Sequence, residues 1–200
     1  MDRNPSDSPL DEVLARAADG EEEAWRTLVD RYASKVFAVV LRQCRDRELA
    51  DEVTQTTFVK VVGSIRRYTE RGRFEAWLFR IAMNQLRDEM RGRKRRAMPL
   101  TSGPDELGQD WLEVQASKAA DSAAHDPVHR ASRAEQIELL RQAIGRLSEA
   151  DQRVLHLRHT AGLSFAQIAE TLDEPLGTVL ARGHRALGKL QKLMLQDKDG

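Results

Sequence analysis

One cysteine, Cys44, stands alone in a chain of 200 residues, so no disulfide can form within it, and the five histidines never approach it at a zinc-like spacing. Neither a metal nor another cofactor is expected. Proline is sparse: its six positions are 5, 9, 99, 104, 127 and 175, which leaves nothing between Leu10 and Met98 to interrupt a helix. No run of about 18 apolar residues is present, so membrane insertion of a helix is not expected. The opening MDRNPSDSPLDE has acidic residues where a signal peptide needs a basic and then an apolar region, and a cytoplasmic location follows as the expectation. Strand-like alternation, a repeat of about 20 to 50 residues and low-complexity tracts are all lacking. No nucleophile, metal cluster or phosphate loop occurs at a usable spacing, which argues against an enzyme and against a small-molecule substrate.

Net charge is absent as well, with 32 basic and 32 acidic residues, but the charges are sorted by segment. Residues 1–30 carry 3 basic and 9 acidic side chains, residues 61–97 carry 11 and 4, and residues 98–132 carry 2 and 6. A positive stretch between acidic flanks can bind phosphate locally while limiting indiscriminate attraction to nucleic acid.

What is there is helical periodicity. Leu10–Ala18 is a short helix candidate. Glu21–Cys44 opens with three glutamates, favourable at a positive helix end, and carries Trp25, Leu28, Val29, Tyr32, Val36 and Val40 on one face. Asp46 is placed to cap a third helix over about Glu48–Arg66, with Leu49, Val53, Phe58 and Val61 on its apolar side. After a loop at Arg67–Arg73, a fourth helix from about Phe74 closes a small bundle. Residues 98–132, rich in Ser, Ala, Gly, Pro and Asp, read as a flexible linker, with Trp111, Leu112 and Val114 as a local hydrophobic anchor. Periodicity resumes over Arg133–Arg146. Ser148 with Asp151 forms an approximate capping box and Ser164 with Gln167 a proper one. Ser164–Leu172, a turn at Asp173–Pro175 and a helix through Lys192 have the layout of a helix-turn-helix. Its second helix bears Arg182, Arg185, Lys189 and Lys192, while its first carries Glu170 and no base. The expected fold is all-α: two small helical domains, residues 10–97 and 133–196, joined by the linker.

The stretch Arg71–Arg96 joins an aromatic-rich apolar segment to a dense basic run. Arg80, Asn84, Arg87, Arg91 and Lys94 or Arg95 recur at a spacing of three or four, which aligns them on one helix face. Phe74, Trp77, Leu78 and Ile81 fall on the packing side, and Gly92–Arg96 reads as an electrostatic tail.

Three motifs resemble those of the extracytoplasmic-function sigma factors, the smallest group of the bacterial sigma-70 family. Ala50–Phe58 (ADEVTQTTF) is similar to the segment with which that family docks on the polymerase largest subunit. Phe74–Asn84 (FEAWLFRIAMN), with Asp88 and Arg91 in register, is similar to its Phe-x-x-Trp-Leu-x-x-Ile-Ala-x-Asn signature. Leu147–Leu155, Gly162–Ala169 and Pro175–Val179 resemble its carboxy-terminal helix-turn-helix. The resemblance implies a sigma factor that binds core RNA polymerase through Asp51, Glu52, Gln55, Thr56 and Phe58. It implies a minus-ten promoter contact through Tyr68, Arg71, Arg73, Arg80, Asn84, Arg87 and Arg91, with the Tyr68–Arg73 loop matching the family's base-capturing loop. It further implies a minus-thirty-five contact through Thr178, Arg182, His184, Arg185 and Lys189. Promoter DNA and an anti-sigma factor are the other implied partners. Departures from the family pattern are Thr56 for a glutamate, Val62 for a tryptophan, and Leu180, Ala181 and Gly183 in the recognition helix. Since Leu180 and Ala181 have no side-chain donor, direct readout falls on His184 and Arg185, with Arg182 and Lys189 on phosphates. The rival readings are a mimic that binds an anti-sigma factor without reading DNA and an ordinary helix-turn-helix regulator, which leaves Asp51–Phe58 unexplained.

Overall fold

The computed structural model describes residues 10–69, 72–96 and 127–196, and every regular element among them is a helix. Four come from the amino-terminal part: α1 (Leu10–Ala18), α2 (Glu22–Cys44), α3 (Arg47–Ser64) and α4 (Phe74–Arg96), with a single 3-10 turn at Ile65–Arg67 after α3. Four follow: α5 (Pro127–Gly145), α6 (Glu149–His159), α7 (Phe165–Leu172) and α8 (Leu176–Gln196). The stretch at 98–126, including Trp111, lies outside the described residues. α5 begins at Pro127, within the stretch to residue 132 that reads as a linker. Proline suits a first helical position, where no backbone N–H is needed and its φ is already helical.

Local chemistry accounts for the helix ends. The Leu49 N–H donates to Asp46 Oδ1 at 3.0 Å, so Asp46 caps α3 as its sequence position indicates. At α7 both halves of the capping box are made: the Gln167 N–H donates to Ser164 Oγ at 3.2 Å, and the Ser164 N–H donates to Gln167 Oε1 at 2.8 Å. Arg45 and Asp173 end α2 and α7 in the left-handed region, at φ 53 and 55°, and each donates its N–H back into the last turn. Gly162, at φ 77°, makes the turn between α6 and α7, where a side chain would be strained.

The described residues fall into two compact units. One consists of α1–α4 with His156–Leu176; the other runs from the start of α5 to Leu155 and resumes at Gly177. The first is built around Leu28, Tyr32, Val36, Val39, Val40, Val53, Phe74, Leu78 and Phe79, all fully buried. In the same unit α7 lies on α4, its Thr171 hydroxyl donating to the Ala76 carbonyl at 3.4 Å. The second has a small core of Leu147, Leu155 and Ala186, with Leu190 packed against it.

Candidate nucleic-acid interface

An aromatic cluster fixes the start of α4. Phe74 is buried between Tyr32, 5.4 Å between ring centroids, and Trp77, 5.8 Å, and Tyr68 packs on Trp77 at 4.9 Å with the rings tilted by 39°. Tyr32 donates its hydroxyl proton to Glu75 Oε1 at 2.7 Å, which ties α2 to the first turn of α4. Burial, then the hydrogen bond to that carboxylate, raises the Tyr32 phenol well above its ordinary value, so it stays a donor. Tyr68 is thus part of a packed cluster. Its oxygen also accepts the Arg73 backbone N–H at 3.2 Å, shaping the turn into α4. Arg71 lies outside the described residues.

With that end fixed, α4 turns Phe79, Ala82, Met83 and Leu86 into the core and presents Asn84, Arg87 and Arg91 to solvent, with Arg80 half-buried at the head of the stripe. The Arg87 guanidinium donates to Asn84 Oδ1 at 3.3 Å. This is the face that the three-or-four spacing predicts. Trp77 and Ile81, assigned to packing, are half-buried. Beside the loop, a cavity of about 620 Å³ is lined by Asp11, Glu12, Leu14, Ile65, Arg66 and Tyr68, among others.

Two basic residues of this region do something the sequence does not disclose. Arg73 pairs with Glu170 of α7 at 3.2 Å. Arg93, read as part of an electrostatic tail, instead donates to Asp46 Oδ2 at 2.7 Å and lies 3.4 Å from Glu52, so it joins the end of α4 to the start of α3.

On α3, Asp51, Glu52 and Gln55 are exposed, while Thr56 and Phe58 are half-buried. The outward apolar residues are Val59 and Val62, 71% and 54% exposed. Positions 52, 55, 59 and 62 follow helical spacing, so acidic, amide and two valine side chains share one face. Val59 carries no signal in the sequence, because an isolated valine on a helix is ordinary until its burial is known.

In the second unit, α8 buries Val179, Gly183 and Ala186, half-buries Leu180 and Arg182, and leaves Thr178, Ala181 and His184 exposed. Arg185 and Lys189 are not simply outward-facing. Their head groups lie 3.7 and 3.5 Å from the carboxylate of Asp151, a buried residue of α6. The spacing of Ser148 and Asp151 predicts an approximate capping box. The Asp151 backbone N–H does donate to Ser148 Oγ at 3.2 Å, but its side chain faces α8 instead.

Among the described residues no group of three or more His, Cys, Asp or Glu could hold a metal, and no helix is long and apolar enough to cross a membrane. Residues 28–96 match Sigma-70 region 2 and residues 143–192 match Sigma-70 region 4. The chain is 30% identical over 182 residues to the ECF RNA polymerase sigma-E factor of Salmonella typhimurium strain LT2, covering 90% of this chain and 92% of the relative. Two solved structures share the fold. One is CnrH in complex with the cytosolic domain of CnrY, with a TM-score of 0.58, 23% identity, and coverage of 94% of this chain and 97% of that one. The other is the sigma factor RpoE of Bartonella quintana in complex with the anti-sigma factor NepR, with a TM-score of 0.57, 19% identity, and coverage of 84% and 95%.

Proposed function

The chain belongs to the ECF group of the sigma-70 family and is an alternative RNA polymerase sigma factor; from that premise we propose how its residues divide the work. Residues 10–97 take core polymerase and the minus-ten element, and residues 133–196 take the minus-thirty-five element. The observation that carries this reading is the Asn84, Arg87, Arg91 stripe. Three polar or cationic side chains lie exposed on a helix whose opposite side is held rigidly in the core.

The division of labour follows from chemistry. Opening DNA requires that unpaired bases and a bare phosphate backbone be held once they leave the duplex. Arginines on a fixed helix supply the phosphate contacts, and the cavity beside Tyr68 offers space next to an aromatic ring for an unstacked base. Stacking on an aromatic contributes about 1–3 kcal/mol per base, enough to offset part of the cost of local unstacking. The exposed α3 face, with Asp51, Glu52, Gln55, Val59 and Val62, meets the polymerase: apolar contact gives affinity and the polar groups fix register. On α8, Thr178, His184 and Arg185 meet base edges, with Arg182, Lys189 and Lys192 on phosphates.

Such a factor is a DNA-binding initiation protein and does no covalent chemistry of its own. Its place of action is the cytoplasm, where polymerase and promoter are, and on the strength of its family an anti-sigma factor is its regulator. The test is transcription with purified core polymerase on sheared DNA of the source genome. Adding the chain should give discrete 5′ ends preceded by a shared two-part motif. Core polymerase that yields the same ends with and without the chain would refute the proposal.

A further inference from the structure

Asp151 occupies an unusual position. It is 2% exposed, and its Oδ1 is buried without a hydrogen bond. Facing it from α8 are Arg185 Nη2 at 3.7 Å from Oδ1 and Lys189 Nζ at 3.5 Å from Oδ2. A carboxylate out of water is costly unless cations or donors compensate it. Here the compensation comes from two residues one turn apart, whose side chains remain 60% and 53% exposed along their length. All three lie in one compact unit.

We propose that Asp151 is a positioning residue for promoter recognition: it holds Arg185 and Lys189 in place beneath the reading face of α8 and cancels one of their two charges. The proposal rests on the assignment of α8 to the minus-thirty-five element.

Two effects follow. Non-specific affinity for a duplex comes from cations that displace condensed counterions, and a cation already paired with a buried carboxylate contributes less of it. Sequence preference comes from side chains held near base edges, and an arginine whose guanidinium Asp151 already holds has fewer arrangements to lose on binding. Asp151 therefore lowers attraction to any DNA and sharpens preference for the right DNA. A charge-neutral side chain in its place loosens both constraints together.

The experiment uses holoenzyme assembled from core polymerase and the full chain, with a pool of synthetic duplexes carrying a random centre of about 60 base pairs as the probe. The wild type first selects a motif. Affinity for a selected and an unselected duplex is then measured between about 0.05 and 0.2 M salt. With Asp151→Asn, the slope of log affinity against log salt on the unselected duplex should steepen by about one, since each released phosphate contact contributes about 0.9. Preference for selected over unselected duplex should fall on the order of tenfold. Unchanged slope and unchanged preference would overturn the proposal.

Lys189→Gln in the otherwise unaltered chain gives an independent reading if Asp151→Asn fails to fold. Its slope should become shallower by less than about 0.5, because Asp151 already offsets that charge, whereas a loss of about 0.9 would overturn the proposal. If the wild-type holoenzyme selects no motif upstream of its minus-ten element, the assignment of α8 fails, a result distinct from the failure of Asp151 alone.

Discussion

Arg93 reaches back from the end of α4 to donate to the Asp46 carboxylate at 2.7 Å, while the other oxygen of the same carboxylate caps α3. One side chain thus caps the start of α3 and anchors the helix that carries the arginine stripe. Asp46→Ala removes a cap and an ion pair together, and should cost about 1–2 kcal/mol in urea unfolding followed by circular dichroism. Arg93→Ala should cost under about 1 kcal/mol, since both partners are about 40% exposed and such pairs are screened. An Arg93→Ala loss equal to that of Asp46→Ala would show that the cap contributes nothing.

Acid should weaken the fold through His156. The ring is buried beside Arg42, whose Nη1 lies 3.1 Å from its Nε2, and burial followed by that positive charge depresses the imidazole to about 3. The unfolded chain takes up this proton near pH 6.5 and the folded chain refuses it until about pH 3. Its contribution to stability is therefore complete above about pH 6.5 and is lost as pH falls, by up to about 1.4 kcal/mol per pH unit. His156→Gln should flatten the dependence of unfolding free energy on pH between about 6.5 and 4; an unaltered slope would mean that His156 protonates freely in the folded chain.

Val59 should matter for polymerase and for nothing else. It is 71% exposed, so Val59→Asp leaves the core untouched and should change stability by less than about 0.5 kcal/mol. Core affinity, measured by fluorescence anisotropy of the labelled chain, should fall at least about tenfold, as expected when a charge enters an apolar contact. Undiminished binding would move the docking face away from 52, 55, 59 and 62.

Much of this was legible because it is local. Asp46 lies three residues before the N–H it caps, and Ser164 and Gln167 recognise each other across a single turn, so residue type and spacing suffice. The stripe on α4 was legible for the same reason, as periodicity is a property of one helix. What stayed hidden depends on chain closure. No spacing rule connects Arg93 with Asp46, Arg73 with Glu170, or Asp151 with Lys189, each pair separated by more than 35 positions. Charged residues that read as a DNA-facing run were thereby partly assigned to the protein itself. Tyr68 lies just before α4, and its ring packs against Trp77, a contact that no spacing in the sequence announces. The start of α5 was missed because Ser, Ala and Asp-rich composition outweighed Pro127, which there opens a helix instead of breaking one.

Permanganate reactivity of unpaired thymines at a promoter bound by reconstituted holoenzyme tests most directly whether the α4 stripe holds the opened strand. The wild type should expose thymines across the minus-ten region. Arg87→Ala combined with Arg91→Ala should bind core polymerase with unchanged affinity, yet reduce that reactivity at least about tenfold, two phosphate contacts on single-stranded DNA having been lost. Thymines as reactive with the double variant as with the wild type would contradict the account.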